Sequence, residues 1–373
     1  MTHVVFFVPS FASGGAEAFI VNTIERLDRD RFTAEIVAIK VAEDTVYAGR
    51  LKEAGIRLRE LVQDENLNPI TKYVRGYIEF WNLISFDEYG DATFHFNLAQ
   101  GEDLPFVWLS KRAGAKIRIV HSHNSSANRW YKRVGHRVGK ALFGASATQW
   151  LACSREAAKW LLPPRVYECG AYSIIKNGIP TELFRYDEER RMAVRDELGI
   201  NPGTVLLLNV GRLEAQKNQQ LLLDSFARMA VYDNDAVLAI VGEGSLRESL
   251  ENRARSLGIS SRVLWLGRRT DVPHLMSASD IFLLPSQFEG FPFVLVEAQA
   301  SGLPCFVSEA ISKDCYLTDL VHACPLEADL LSECINNALK NDRGSSREDY
   351  WEKVGKMGYD ISGSVRELEG LYE

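Results

Sequence analysis

The sequence has no apolar run long enough to cross a membrane and no cysteine pattern that indicates disulfides or zinc. None of its hydrophobic runs approaches the roughly 20 residues that a membrane-spanning helix requires. Residues 1–9 lack the basic lead and the cleavage site of a secretion signal, and their apolar side chains predict a first β-strand. The six cysteines form no C-x-x-C pair and have no histidine at zinc spacing. We therefore expect a cytoplasmic protein with reduced thiols.

Signatures of several common ligands are also missing. The sequence has no G-x-G-x-x-G dinucleotide fingerprint and no glycine-rich loop that ends in Lys-Ser or Lys-Thr. No carboxylate or cysteine cluster joins the histidines into a metal-ligand set, and no nucleic-acid-binding motif is present. We expect no bound metal, no cofactor and no nucleic acid partner.

Acidic residues are absent from one long stretch. Residues 104–155 contain ten Lys and Arg and no Asp or Glu, whereas the whole chain has a net charge of −7. Within that stretch, residues 129–143 mix aromatic and basic side chains, as segments at a membrane surface do. The basic region predicts either contact with anionic headgroups, at the inner face of the plasma membrane, or a solvated helix face.

Length and strand pattern predict the fold. A chain of 373 residues with 46% hydrophobic content suggests two domains. Aliphatic and β-branched runs alternate with amphipathic stretches, which favours parallel sheets covered by helices. These runs are 4–8, 35–39, 92–96, 116–120 and 150–152, then 205–210, 237–241, 263–266, 281–284 and 305–307. We expect an α/β protein of two doubly wound domains, whose strand-end loops face a cleft.

Two carboxylates stand in an otherwise apolar segment, residues 285–304. Removing the hydration of a carboxylate costs several kcal/mol or more without a partner, so Glu289 and Glu297 predict a ligand rich in hydroxyl groups. Residues 281–285 predict a buried strand and residues 292–301 a helix. The unpaired N–H groups at that helix start favour an anion such as a phosphate.

Two further pairs suggest a phosphate site. Gly14 and Gly15 open a helix after the first strand, where a backbone without side chains can approach a phosphate, or where a simple tight turn occurs. Arg212 and Lys217 follow the first strand of the second domain. Two such cations predict neutralisation of a leaving diphosphate without a metal, and the alternative is a pair of surface charges.

Histidines gather at the ends of two apolar strands. His121, His123 and Asn124 end one strand, and His95 with Asn97 marks the end of the preceding one less strongly. Such side chains hydrogen-bond a sugar hydroxyl or carry a proton near neutral pH.

Together these residues resemble the retaining glycosyltransferases of family 4. The segment from Glu289 to Glu297 is similar to the Glu-x7-Glu signature of that family. Six more motifs occur in the family's order: Gly14-Gly-Ala-Glu17, His121-Ser-His-Asn124, Lys176-Asn-Gly-Ile179, Gly211-Arg212 with Lys217-Asn218, Gly242-Glu-Gly244, and Leu266-Gly-Arg-Arg-Thr-Asp271. The chain resembles bacterial enzymes of capsule and exopolysaccharide synthesis in particular.

The resemblance implies a B-type glycosyltransferase fold, with two facing Rossmann-like domains. It implies an acceptor domain over residues 1–180, a donor domain over 181–345, and a C-terminal segment, 346–373, that crosses back to the first. A departure is Pro292, which stands where many members have glycine and removes one N–H group from the phosphate loop.

The resemblance also implies a role for each site residue. Glu297 holds the ribose hydroxyls, Glu289 meets the donor sugar, and His123 rather than His121 faces that sugar. The residues implied in the reaction are Glu289, His123, Arg212 and Lys217. Those implied to bind the donor are Gly14, Gly15, Arg212, Lys217, Gly242, Glu243, Gly244, Arg268, Gly290, Phe291, Val294, Leu295 and Glu297. Those implied more weakly to touch the sugar or the acceptor are His121, Asn124, His95 and Asn177.

The expected function is metal-independent hexosyl transfer from a nucleoside-diphosphate sugar, with UDP favoured, to a saccharide acceptor, for which we expect a lipid-linked form. One alternative is a UDP-sugar epimerase of the same architecture. Another is a non-catalytic partner subunit of a glycosyltransferase complex.

Overall fold

The computed structural model describes residues 1–43, 45–64, 66–86, 89–123, 130–229, 235–289, 291–341 and 346–373. These residues form two compact units. Unit 1 comprises residues 1–178 and 361–373, and unit 2 comprises residues 179–360. Within the described ranges, no helix combines the length and the apolar character needed to cross a bilayer. All six cysteines are free thiols, as the sequence predicts.

Unit 1 alternates strands and helices. Its strands are β1 (Thr2–Phe11), β2 (Phe32–Val41), β3 (Arg57–Glu60), β4 (Thr93–Leu98), β5 (Arg118–Ser122), β6 (Gln149–Ala152) and β7 (Ser173–Ile174). Its helices are α1 (Gly15–Ile24), α2 (Ala48–Glu53), α3 (Pro69–Ile84), α4 (Leu104–Arg112), α5 (Trp130–Phe143), α6 (Arg155–Leu161) and α7 (Pro164–Glu168). Every strand pairing is parallel, in the order β3-β2-β1-β4-β5-β6-β7. The order reverses at β1, which lies between β2 and β4, and ligands of doubly wound sheets bind at the carboxyl ends of the strands near such a switch.

Unit 2 repeats this plan. Its strands are β8 (Leu206–Val210), β9 (Val237–Val241), β10 (Val263–Gly267), β11 (Ile281–Leu284), β12 (Cys305–Ser308) and β13 (Val321–Cys324). Its helices are α8 (Glu188–Glu197), α9 (Gln219–Met229), α10 (Arg247–Ser256), α11 (Val272–Ala278), α12 (Phe293–Ala300), α13 (Ala328–Asn341) and α14 (Tyr350–Val354). The parallel order β10-β9-β8-β11-β12-β13 reverses at β8.

Both cores consist of apolar side chains from strands covered by helices. In unit 1 the Phe7 ring packs at 5.2 Å from Phe80 and at 4.4 Å from Phe106, which lie on β1, α3 and α4. In unit 2 Leu208 and Phe282, on neighbouring strands, are wholly buried. Strands buried on both faces read as continuous apolar runs, and this is why the sequence identifies the central strands.

The division differs from the expected one at residues 346–360, which belong to unit 2. The Arg347 guanidinium donates to the carbonyl oxygens of Met276, Ser279 and Ser301 at 2.8–2.9 Å. Its burial lowers the pKa of Arg347 to about 10. These hydrogen bonds hold the segment on the C-terminal ends of α11 and α12. The last helix, α15 (Ile361–Tyr372), packs in unit 1.

Candidate active site

The loops that follow β8 and β9 in unit 2 are joined by their backbones. The Gly211 N–H donates to the Val241 carbonyl at 2.9 Å, and the Leu213 N–H donates to the Glu243 carbonyl at 2.9 Å. A Cβ on Gly242, whose φ is +136°, would lie 2.1 Å from the Gly211 oxygen. Only glycine permits this approach. The predicted motif at residues 242–244 therefore has a structural role in shaping the loop that presents Arg212.

Lys217 and Glu289 form an ion pair at the carboxyl edge of the unit 2 sheet. Lys217 Nζ lies 2.6 Å from Glu289 Oε1, with 17% and 9% of the two side chains exposed. The loops that carry them are tied together, since the Gln287 N–H donates to the Gln216 carbonyl at 2.8 Å and Gln216 Nε2 donates to the Phe288 carbonyl at 3.0 Å. The partner that a partly buried Glu289 needs is thus supplied by the protein.

Arg212 is positioned differently from Lys217. Its side chain is 69% exposed and lies 3.3 Å from Glu214, whereas its carbonyl accepts a hydrogen bond from Gln219 Nε2 at 3.0 Å. An exposed ion pair contributes little free energy. The backbone of Arg212 is therefore fixed while its guanidinium can turn to an arriving anion at small cost.

Helix α12 starts immediately after Pro292 and ends before Ser301, close to the predicted bounds. Its first N–H groups, on Phe293 and Val294, have no acceptor inside the helix, which suits an anion. Leu295, which the resemblance implies in donor binding, uses its N–H to donate to the Pro292 carbonyl at 3.0 Å. Its backbone is therefore not free for a phosphate, whereas the N–H groups of Phe293 and Val294 are in the first turn of the helix.

Glu297 lies in the second turn of α12. Burial raises the pKa of Glu297 to about 7, although the side chain keeps some exposed surface. Among the described residues its carboxyl has neither a hydrogen bond nor an ion pair, in contrast to Glu289. A carboxyl in this state is close to half-ionised at neutral pH, and a ligand that donates hydrogen bonds to it favours the ionised form.

The remaining predicted donor residues of unit 2 surround these groups. Phe291 stacks on Tyr359, with ring centroids 5.5 Å apart and an interplanar angle of 8°. Glu243 lies 3.8 Å from Arg247, and Arg268 is exposed after β10. Gly290 lies outside the described residues.

In unit 1 the predicted glycines begin α1, as the sequence indicates: Gly14 is its N-cap and Gly15 its first residue. Glu17 folds back over this turn, because its Oε1 accepts a hydrogen bond from the Ala12 N–H at 3.4 Å. A Cβ on Gly14 would lie 2.6 Å from Glu17 Oε2. The glycine thus leaves room for a carboxylate of the same helix, a contact that the sequence does not reveal.

The three strand-end histidines of unit 1 are in contact. His95 and His121, both wholly buried, lie with rings 5.4 Å apart, and His121 and His123 lie 4.1 Å apart. His95 Nδ1 lies 2.7 Å from the Tyr372 hydroxyl of α15, and His95 Nε2 lies 3.3 Å from His121 Nδ1. Both ring nitrogens of His95 are occupied, so the weak expectation that it contacts a saccharide is corrected to a buried structural role. Tyr372 was not identified from the sequence, because nothing there marks it as a partner of His95.

His123 lies at the rim of the cluster, with part of its side chain exposed. His123 Nε2 is 2.9 Å from Asn97 Oδ1, and Asn97 Nδ2 donates to the His95 carbonyl at 3.2 Å. His123 Nδ1 and Asn177 Oδ1 are buried without a hydrogen-bond partner among the described residues. Asn124 lies outside those residues.

Burial keeps this cluster neutral. It lowers the pKa of His95 to about 3 and the pKa of His123 to about 4, although Asn177, beside His123, opposes the second shift. Burial also holds the pKa of His121 well below its usual value. Imidazole rather than imidazolium is therefore the form present near pH 7.

Comparison with known proteins identifies the second unit. Residues 191–357 match the family described as glycosyl transferases group 1. Over 370 residues the chain is 29% identical to EpsF of Bacillus subtilis (strain 168), a match that covers 96% of this chain and 93% of EpsF. Residues 191–357 thus form a domain of the glycosyl transferases group 1 family.

Two further comparisons concern a curated relative and a solved structure. The chain is 32% identical over 200 residues to the UDP-Gal:alpha-D-GlcNAc-diphosphoundecaprenol alpha-1,3-galactosyltransferase of Escherichia coli, a match that covers 52% of this chain and 51% of that enzyme. The crystal structure of Anabaena HepE in complex with UDP and glucose superposes with a TM-score of 0.79 at 18% identity, over 99% of both chains. The predicted fold of two parallel-sheet Rossmann-like domains, the B-type glycosyltransferase fold, is thereby confirmed.

The match to group 1 separates the two sets of candidate residues. Arg212, Lys217, Glu289 and Glu297 all lie within residues 191–357, whereas the histidine cluster lies outside them. The part of the chain that matches the family therefore lies wholly within unit 2.

Proposed function

We propose that this glycosyltransferase is a retaining, metal-independent enzyme of family 4 that transfers a hexose from a UDP-sugar to a lipid-linked saccharide in bacterial cell-surface polysaccharide synthesis. The observation that carries the proposal is the 2.6 Å pair of Lys217 and Glu289 at the edge of the unit 2 sheet. It combines a cation for a diphosphate with a carboxylate for sugar hydroxyls in one rigid pair of loops.

The donor diphosphate is proposed to bind the cations of unit 2 and the start of α12. Lys217 contacts a phosphate while it stays paired with Glu289, and Arg212 leaves Glu214 for the same group. Fixed positive charge stabilises the leaving diphosphate as its bond to the sugar breaks, which is the task that a divalent metal has in other enzymes. We expect full activity after removal of metals with EDTA, and loss of activity that returns on adding Mg²⁺ or Mn²⁺ would refute metal independence.

The two carboxylates are proposed to bind different parts of the donor. Glu297, which has no protein partner among the described residues, accepts hydrogen bonds from the ribose hydroxyls. Glu289, oriented by Lys217, accepts from hydroxyls of the sugar that is transferred. Glu289→Gln should therefore impair turnover, and Glu297→Gln should weaken UDP binding.

UDP is favoured over GDP because the E. coli relative is named for UDP-Gal and the HepE structures contain UDP or UDP-glucose. A panel of UDP- and GDP-sugars, read out by thermal stabilisation and by hydrolysis, tests this directly. Stabilisation by GDP-sugars alone would reject UDP, and no stabilisation by either class would reject the donor site.

The two alternative functions have their own tests. Conversion of a donor sugar to its epimer in the absence of acceptor would show an epimerase instead. Turnover by the purified chain alone would argue against a non-catalytic partner subunit.

Retention is proposed to follow from attack by the acceptor on the face from which the diphosphate leaves. The bond from the anomeric carbon to the diphosphate oxygen breaks, the bond to the acceptor oxygen forms, and a phosphate oxygen takes the acceptor proton. Proton NMR of the first product formed decides the point, because an α-linked donor should give an α-linkage. A β-linked first product would exclude retention.

The acceptor is proposed to be a saccharide on a lipid diphosphate, as the name of the E. coli relative states for that enzyme. Matched acceptors with and without the lipid diphosphate test this proposal. Preference for the lipid-linked form by at least tenfold in kcat/KM is expected, and equal use of both would reject the lipid requirement.

An anionic membrane surface at the cytoplasmic face is proposed as a further partner, through the basic region 104–155. Arg112 and Arg137 are exposed there, whereas Arg118 and Lys140 donate to the carbonyls of Ser146 and Trp160 and are used internally. Exposed apolar side chains on three adjacent helices support the proposal: Ile70, Val74, Ile78 and Trp81 of α3, Trp108 of α4, and Val134, Val138 and Leu142 of α5. Apolar side chains beside cations suit an anionic bilayer.

Vesicle sedimentation tests the membrane proposal. Binding should rise with the fraction of anionic lipid and fall with salt. Val138→Ser should weaken binding, whereas Leu326→Ser, an exposed apolar residue of unit 2, should not. Equal binding to neutral and anionic vesicles would reject the proposal.

A further inference from the structure

Lys217 lies at the end of a short turn between β8 and α9. The turn is a single 3-10 turn, Ala215–Lys217, in which the Lys217 N–H donates to the Glu214 carbonyl at 2.9 Å. Asn218 follows with a φ of +54°, a left-handed conformation that asparagine adopts more readily than most residues. The stem of Lys217 lies over Gly211, where a Cβ would be 3.3 Å from Lys217 Cδ. The backbone and the stem of Lys217 therefore have defined directions.

Strand pairing does not extend to the loops that carry Lys217 and Glu289. The parallel pairing of β8 with β11 ends at Leu208 and Phe282, well before either residue. Loops beyond a sheet are more mobile than the strands that they follow. The separation of the two side chains therefore depends on contacts that the loops make with each other.

Gln216 makes two hydrogen bonds across these loops. Its carbonyl accepts from the Gln287 N–H at 2.8 Å, and its Nε2 donates to the Phe288 carbonyl at 3.0 Å. Because a carbonyl oxygen can only accept, the NH2 group of the side chain must face Phe288. Gln216 directly precedes Lys217, and in the same way Phe288 directly precedes Glu289. The amide thus ties the residue before the cation to the residue before the carboxylate.

A second glutamine beside the same turn acts on the other cation. Gln219 is 1% exposed, and its Nε2 donates to the Arg212 carbonyl at 3.0 Å. This bond joins residues of the loop between β8 and α9 to each other. The two glutamines therefore have different effects: Gln219 holds the backbone of Arg212, whereas Gln216 holds the Lys217 loop against the Glu289 loop.

We propose that Gln216 is a positioning residue that sets the 2.6 Å separation of Lys217 Nζ from Glu289 Oε1, and so holds the Glu289 carboxylate where it meets the transferred sugar. The inference rests on the proposed function for the role of Glu289, whereas the link between the loops rests on the contacts of Gln216.

Loss of this link should impair turnover more than donor binding. A shift of about 1 Å in a group that contacts the reacting part of a substrate can remove most of its effect on the rate. The attraction between a cation and a phosphate falls only with the inverse of their distance, so Lys217 still attracts the diphosphate after a small displacement. The expected signature is a fall in kcat with little change in UDP affinity.

Hydrogen exchange of the Gln287 amide, followed by NMR in the full-length protein, tests the link without a donor. Gln216→Met keeps the length of the side chain but cannot donate to the Phe288 carbonyl. We expect the Gln287 amide to exchange at least about tenfold faster in this variant, the value of one hydrogen bond. Gln220→Met, at an exposed residue of α9, should leave the exchange unchanged. Unchanged exchange in Gln216→Met would overturn the proposal.

Kinetics with the UDP-sugar that turns over in the donor panel test the effect on catalysis. Gln216→Met should lower kcat about tenfold, while the Kd of UDP in calorimetry stays within about threefold and Gln220→Met changes neither. A Kd that rises as much as kcat falls, or an unchanged kcat despite faster exchange, would contradict the inference and leave the proposed function standing. If no UDP-sugar binds, the proposed function fails, and the amide exchange still decides whether Gln216 holds the loops.

Gln216→Glu separates positioning from a general structural defect. The introduced carboxyl cannot donate when it is ionised, but it donates when protonated, as pH falls toward the ordinary glutamate pKa of about 4.3. The deficit in kcat relative to the natural protein should therefore shrink by about twofold between pH 7.5 and pH 5. Effects of pH that both proteins share cancel in this ratio, and Gln220→Glu should show no deficit. A deficit that stays constant over this range, in a variant shown to be folded by thermal unfolding, would overturn the proposal.

Discussion

The two units place opposite kinds of polar side chain at the ends of their strands. In unit 2 Lys217 and Glu289 form a close ion pair, and burial raises the pKa of Glu297 to about 7. In unit 1 burial lowers the pKa of His95 to about 3 and of His123 to about 4. Unit 2 therefore presents charge, whereas unit 1 presents neutral hydrogen-bonding groups.

The charged groups of unit 2 suit the proposed donor, because its phosphates need cations and its hydroxyl groups donate to carboxylates. The difference between the units therefore places the proposed contacts of Lys217, Glu289 and Glu297 with that donor in unit 2. It also gives the two units opposite responses to pH, because groups with raised and lowered pKa values change stability in opposite directions.

The largest expected effect is acid destabilisation of unit 1. Below pH 6.5, near the pKa of an unfolded histidine, His95 and His123 bind protons in the unfolded chain but stay neutral in the folded one. Stability is thus lost as pH falls from 6.5 toward 4. At pH 4.5 the loss is roughly 2 to 3 kcal/mol for each of these two histidines. Hydrogen exchange with mass spectrometry at pH 4.5 and 7.5, corrected for intrinsic rates, should show unit 1 losing protection while unit 2 keeps its own. Equal loss of protection in both units would contradict the expected difference between them.

Lys217→Ala should reduce catalysis most among single substitutions in unit 2. It removes a cation from the proposed diphosphate site and leaves Glu289, which is 9% exposed, without its partner. We expect kcat/KM to fall about 10²- to 10³-fold, or about 3 to 4 kcal/mol. Steady-state kinetics with the donor identified by the panel measures this. Lys313→Ala, an exposed lysine of unit 2, is the matched control. A change below threefold in Lys217→Ala would show that the ion pair is structural only.

Glu297→Gln should remove the loss of stability that unit 2 suffers as Glu297 ionises at higher pH. The folded pKa of about 7 lies above the unfolded value, so the contribution of Glu297 to stability is present at low pH and is lost as pH rises through 7. The amide does not ionise, and the variant should gain roughly 2 kcal/mol at pH 8 relative to pH 5 when compared with the natural protein. Thermal unfolding at the two pH values tests this. In calorimetry, UDP affinity of the natural protein should rise between pH 6 and 8, and Glu297→Gln should abolish that rise. A parallel pH dependence in both proteins would contradict the assigned role of Glu297.

The fold could be predicted where the chain is buried on both sides. The central strands are continuous apolar runs and were predicted. The strands β3, β7 and β13 were not predicted, because these edge strands are short and partly polar. Glycine and proline residues predicted the starts of α1 and α12 closely.

Contacts between distant residues could not be predicted: Lys217 with Glu289, Asn97 with His123, and Tyr372 with His95. Each depends on strand pairing or helix packing that single-residue patterns do not encode. The Asn97–His121 register shows this, since parallel pairing alone brings the two strand ends together.

The smallest expected effect comes from Tyr372→Phe, which tests whether the histidine cluster is one unit or two. The change removes the hydroxyl that lies 2.7 Å from His95 Nδ1 but leaves the contact of His123 with Asn97 intact. The loss of one buried hydrogen bond should lower the free energy of unfolding of unit 1 by about 1 kcal/mol. Because the contact of His123 with Asn97 does not involve the Tyr372 hydroxyl, kcat/KM should stay within twofold. Urea unfolding and donor kinetics give the two values, and Tyr350→Phe, which removes a hydroxyl that donates to Asp319 in unit 2, is the control. A tenfold fall in kcat/KM with little loss of stability would show instead that the hydrogen bond from α15 reaches His123 through the stacked rings.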